Sequence, residues 1–192
     1  MIRVTVAALA AVGFWTPQAA VAQDKPGYEY KLLATSMTHT MELELNRAAE
    51  DGYRFQTAMG GETANGGNEV VAIMARRPGS KPRVSYKLLA TSKTSTMEKE
   101  LQAAADQGFE YRAQTVFKTA FGGDEVVCIL ERDGGAGTAH SRYRLLATTK
   151  TSTMEKELQQ VGAAGYTIVG LTVAKTAFGG KELVAILRRA EE

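Results

Sequence analysis

Two sets of residues have the types and spacing to hold an anion. Lys93, Thr94, Ser95 and Thr96 recur as Lys150, Thr151, Ser152 and Thr153. Further along, Lys118, Thr119 and Phe121 recur as Lys175, Thr176 and Phe178, each set running into a Gly-Gly pair. Two ammonium groups, several hydroxyls and the free N–H groups at a helix start are what a phosphate, sulfate or carboxylate requires. The two phenylalanines add a flat surface for a sugar or an aromatic ring. The same residues have an ordinary reading as well. Ser and Thr cap helices, Lys is common on surfaces, and Phe121 and Phe178 can pack on a neighbouring unit.

Other chemistries lack their residues. The histidines are His39 and His140, and neither sits in a Cys, His or carboxylate cluster at metal-ligand spacing, so no metal site is expected. Nothing marks a rigidly held histidine for a Ser-His-Asp system. Lys118-Thr119 and Lys175-Thr176 precede glycine pairs and do not follow a glycine-rich loop, so no nucleotide loop and no cofactor is implied. Glu98 with Glu100, and Glu155 with Glu157, lie two apart on a helix start and point in different directions, which suits solvated capping residues better than an acid/base pair. Cys128 is the single cysteine, so no internal disulfide forms. It lies in the apolar run VVCIL, where Ala72 and Ala185 stand in the related segments, and reads as a small buried hydrophobe.

The elements that must position these residues are written three times. Segments 30–76, 86–132 and 143–189 align without gaps, at spacings of 56 and 57 residues. Each opens on a short aromatic-led strand such as Tyr86-Lys87-Leu88-Leu89. A helix follows, with Ser95 and Glu98, or Ser152 and Glu155, at capping-box spacing. Met97, Leu101 and Ala104 form its apolar face. The predicted helices cover 40–51, 96–107 and 153–164. Gly52, Gly108 and Gly165 stand where a helix ends in a left-handed residue. A second strand, a Gly-Gly reversal and a third strand apolar on both faces complete the unit. The fold class is α+β: three tandem β-α-β-β repeats, each a three-stranded mixed sheet with one helix and its third strand in the middle. Chain direction then puts the hairpin turn on the same edge as the helix start, which brings the two halves of each lysine-threonine set together. One such unit has little core of its own. The three are expected to pack together in a pseudo-threefold relation, with separate beads as the alternative.

The expected domains are a signal peptide at 1–22 and repeats at 28–77, 84–133 and 141–190. Arg3, the apolar run 4–15 and Ala20-Val21-Ala22 have the order of a cleaved export signal. That predicts an exported protein, periplasmic or extracellular, with no membrane span in the mature chain. The 23 basic and 21 acidic residues nearly cancel, which argues against nucleic acid or an anionic membrane as the main partner.

Tyr86-Lys87-Leu88-Leu89, Gly108-Phe109 and the apolar strand 126–130, with their counterparts, resemble a family of small exported bacterial β-α-β-β domains of unknown function. The resemblance implies a fold and an exported setting; it implies no catalytic residue. The expected function is therefore a non-enzymatic binding or structural repeat protein, with weak anion or glycan sites at the helix-start edges of repeats two and three. The alternative is an enzyme or small-ligand protein with its site in a cleft between repeats. Edges that converge on an enclosed cleft would favour the second; edges that face solvent separately favour the first. A protein or glycan partner and self-association are the expected kinds of contact. Repeat one departs from the set, with Met37, His39, Glu62 and Asn65 where the others have Lys, Ser, Lys and Phe, and its Leu43 stands where they have lysine.

Overall fold

The computed structural model describes residues 27–64, 67–91, 94–118, 124–135, 140–175 and 180–191, with the backbone alone at 94, 95, 117, 118, 124, 174 and 175. The first unit runs β1 (Glu29–Thr35), α1 (Thr38–Glu50), β2 (Arg54–Thr63) and β3 (Gly67–Arg76). The second repeats it as β4 (Val84–Thr91), α2 (Thr94–Ala105), β5 (Glu110–Lys118) and β6 (Asp124–Asp133). The third is β7 (Ser141–Thr148), α3 (Thr151–Ala163), β8 (Thr167–Lys175) and β9 (Lys181–Ala190). The sheets have the orders β1-β3-β2, β4-β6-β5 and β7-β9-β8. The third strand of each unit is central, as its apolarity requires. Every hydrogen-bonded pair is antiparallel, and the parallel relation holds only between the two outer strands. Each second strand carries a bulge at the same place, beside Phe55, Tyr111 and Ile168.

The helices begin two residues ahead of the expected starts, and the expected capping box is not what starts α3. Its N-cap is Lys150, extended at φ −116° and ψ 128°, with no side-chain hydrogen bond to the first turn. Met37 stands likewise before α1. The C-terminal ends follow the sequence closely. Gly52, Gly108 and Gly165 have φ of 87°, 82° and 85°. Gly52 N donates to Ala49 O and Tyr53 N to Ala48 O, and both later units repeat this pair of bonds. The aromatic after each glycine lies under a cation, with the Arg76, Arg132 and Arg189 guanidinium carbons 4.6, 4.8 and 4.9 Å from the rings of Tyr53, Phe109 and Tyr166.

The units stack in series, and that explains why the central strands are apolar on both faces. In β6, Val126, Cys128 and Leu130 pack with Met97 and Leu101 of the unit's own helix. The alternate residues Val127 and Ile129 face the other way and join Met41 and Leu45 of α1 in the core of the first unit. The next junction repeats the pattern, with Val184 and Ile186 of β9 in the core beneath α2. Each of the first two helices therefore lies between its own sheet and the sheet that follows. A closed threefold arrangement would bring α3 onto β1. In the structure Tyr30 and Leu32 of β1 are 68% and 64% exposed, so among the described residues the series does not close on itself.

Candidate functional site

The topology does set the helix start and the hairpin on one edge. Thr148, the last residue of β7, lies opposite Leu183, and Lys175, the last of β8, lies opposite Lys181, so both ends reach the same end of β9. Lys150, Thr151 and Ser152 are exposed there and Thr153 is half-buried. The Lys150 N–H donates to Thr148 Oγ1 at 3.3 Å, while no cap side chain takes the first-turn N–H groups of α3. In the second unit Thr91 and Lys118 end opposite Val126 and Asp124, which gives the same edge, and Thr96 is half-buried. Lys93, Thr119, Phe121, Thr176 and Phe178 lie outside the described residues, as do the side chains of Thr94, Ser95, Lys118 and Lys175.

Between the units, helix side chains do specific work, among them Glu98, which the sequence reading assigned to solvent. The first strand of each unit is a sheet edge, with backbone groups that need partners. The preceding helix supplies them. Asn46 Nδ2 donates to Tyr86 O at 2.9 Å, and Asn46 Oδ1 accepts from Tyr86 N at 2.9 Å. One helical turn earlier, Glu42 Oε2 accepts from Leu88 N at 2.7 Å. The second junction is built the same way. Gln102 Oε1 accepts from Tyr143 N at 3.1 Å, and Glu98 Oε2 accepts from Leu145 N at 2.9 Å. Glu98 is thus a connector, not a solvated cap. The signal was present in the sequence as a carboxylate and an amide four apart in every repeat: Glu42 and Asn46, Glu98 and Gln102, Glu155 and Gln159.

A tyrosine from each later unit is inserted beside this edge. Tyr86 and Tyr143 are 3% and 5% exposed. Their hydroxyls accept from the N–H groups of Phe55 and Tyr111 at 2.7 and 2.8 Å, next to the bulges in β2 and β5. Burial pushes the phenols of Tyr86 and Tyr111 well above the ordinary tyrosine range and raises that of Tyr143. Burial likewise holds the Cys128 thiol in its neutral form, as expected for a packing residue.

The first junction also holds a buried charge. Glu131 is 1% exposed, and its Oε1 accepts from Arg54 at 2.6 Å and from Arg112 at 2.8 Å while Oε2 accepts from the Tyr86 hydroxyl at 2.8 Å. Arg54 also approaches Asp133 at 3.3 Å. In the second junction the signs are exchanged: Glu110 stands where Arg54 does and Arg188 where Glu131 does, 3.5 Å apart. At each junction the facing charges are of opposite sign.

In the third unit the same helix carries no further unit among the described residues. Thr151, Met154, Glu155, Leu158, Gln159, Leu171 and Leu183 line an apolar groove of about 380 Å³. The matching Met41, Leu45 and Val70, or Met97, Leu101 and Val126, are buried in the cores beneath the following unit. Among the described residues no helix is long and apolar enough to cross a membrane, and no group of three His, Cys, Asp or Glu residues is placed to hold a metal ion. No protein family, curated protein or solved structure matches the chain.

Proposed function

We propose that this chain is an exported, non-catalytic binding or structural module whose repeats act as one stacked body. The observation that carries the reading is what fills the space between repeats. Both junctions are occupied by core side chains, by an inserted tyrosine and by helix amides and carboxylates bonded to the next strand. The helix amides and carboxylates described in the junctions are engaged in holding the repeats together. Among the described residues, the rim and the two ends remain open to a ligand. On the rim, Lys150, Thr151 and Ser152 face solvent rather than an enclosed cleft. The uncapped first turn of α3 offers N–H donors to a small anion or anionic sugar, and repeat two has the same residues. Each charge-assisted bond there contributes about 1.5–3 kcal/mol at most, and salt screens it, so binding is weak. The test is a titration with sulfate and with a sulfated disaccharide, read by amide chemical shifts. Shifts at Lys150, Thr151 and Ser152 that shrink in the double variant Lys150→Ala, Lys175→Ala support the rim as the binding surface. No shifts, or shifts unchanged in the variant, reduce the edge to a helix start and leave a purely structural module.

A further inference from the structure

The surfaces that join the repeats are present once more, uncovered, at the two ends of the stack. Among the described residues, the large apolar side chains left exposed all belong to the first and third units and none to the second. On the outer face of the first sheet, Tyr30, Leu32 and Met59 are 68%, 64% and 66% exposed. At the other end Ile168, Leu171 and Val173 of β8 are 51%, 58% and 53% exposed. Side chains at the matching internal positions are covered by a neighbouring unit: Tyr86 and Tyr143 for Tyr30, Tyr111 for Ile168. Val71 and Ile73 of β3 correspond to Val127 and Ile129, which lie under α1 with no exposed surface, yet they are only half-buried. Among the described residues no helix lies over them.

We propose that the chain binds a second copy of itself head to tail, with α3 and β8 of one copy seated on the outer face of the β1-β3-β2 sheet of the next. The occupant is set by continuity with the two junctions already built within the chain. Glu155 would accept from Leu32 N as Glu98 does from Leu145 N. Gln159 would take the backbone of Tyr30 as Gln102 takes that of Tyr143. The Tyr30 hydroxyl would accept from Ile168 N, beside the third bulge. Where the internal junctions carry Arg54 with Glu131 and Glu110 with Arg188, this one pairs Thr167 with Ala75, so no charge is buried alone and none opposes. The contact joins two different surfaces, so each added copy leaves one of each free, and assembly runs past the dimer into chains or rings. The inference rests on the stacked-module reading and names its partner.

The test uses the exported chain in sedimentation velocity over a concentration series. The expected result is an average mass that climbs beyond twice that of one chain. Leu32→Asp blocks the head and Leu171→Asp blocks the tail, and each alone stays monomeric. An equimolar mixture of the two forms a 1:1 dimer and stops there, since one free head meets one free tail. Both positions are exposed, so both variants keep the far-ultraviolet spectrum and the melting transition of the parent; Tyr30→Ser serves as a second head variant with the same expectation. A parent that stays monomeric at hundreds of micromolar overturns the proposal. So does a single variant that dimerises alone, which would mean a symmetric contact, and so does a mixture that stays monomeric. The anion titration is run on monomeric Leu32→Asp, so its outcome separates rim binding from self-association.

Discussion

Tyr86→Phe deletes one oxygen from the first junction and leaves the ring in place. The hydroxyl accepts from Phe55 N at 2.7 Å and donates to Glu131 Oε2 at 2.8 Å. Its loss leaves the Phe55 N–H without an acceptor in a buried setting, at a cost of about 1–3 kcal/mol, and removes a bond to a charged group whose net worth is about 1.5–3 kcal/mol. The two terms do not add in full, because Glu131 keeps Arg54 and Arg112. The expected loss is therefore about 2–3 kcal/mol, or roughly 4–12 °C in Tm for a chain of this size. The repeats supply their own controls. Tyr143→Phe removes an acceptor for Tyr111 N at 2.8 Å but no bond to a carboxylate, and should cost about 1–2 kcal/mol. Tyr30→Phe, 68% exposed, should stay within about 0.5 kcal/mol at concentrations where the chain is monomeric. Urea unfolding at micromolar protein measures all three, with an unchanged m-value as the check that only stability moved. If Tyr86→Phe and Tyr30→Phe shift the midpoint equally, the hydroxyl is not what secures the junction and the reasoning fails.

Two further predictions concern the glycine caps and alkaline pH. Gly52 and Gly165 are both left-handed, but a Cβ on Gly52 would sit 2.8 Å from the Ser80 carbonyl oxygen, whereas one on Gly165 would meet the flexible Arg189 side chain at 3.4 Å. Gly165→Ala should cost about 1–2 kcal/mol for the backbone alone and Gly52→Ala more, by urea midpoint; equal costs would remove the steric argument. The phenols of Tyr86, Tyr111 and Tyr143 and the Cys128 thiol are raised by burial, so the folded chain holds protons that the unfolded chain releases. Stability is then whole below about pH 8.5 and falls above it, first through the thiol and from about pH 10 through the tyrosines, by about 1.4 kcal/mol per pH unit for each group. A urea midpoint that stays flat from pH 7 to 11 would contradict this.

The unit was legible in the sequence because its signals are local. Gly52, Gly108 and Gly165 mark helix ends by a backbone need, and the apolar third strands mark the sheet centre. Signals that depend on the neighbouring unit were misread. Glu98 at capping spacing looks like a helix-start residue, yet its carboxylate bonds a strand in the next repeat, and α3 begins without a side-chain cap. Tyr86 and Tyr143 looked like strand-opening aromatics, because a hydroxyl 31 or 32 residues from its partner leaves no periodic trace. The lysine-threonine edge was legible as topology. Its chemistry was less so, because a run of Lys, Thr and Ser suits a helix start and an anion alike.

The exchanged signs of the two junctions bear on how a chain of near-duplicates finds its own order while folding. The second and third repeats are alike enough for a half-folded chain to bring the wrong pair together. Docking the first repeat directly on the third would set Arg54 against Arg188, and docking two second repeats from different chains would set Glu110 against Glu131. Either encounter sets like charges against each other across the seam, which disfavours it. The charges thus act as an address that the repeated core lacks, and they let the similar segments avoid tangling as the chain folds.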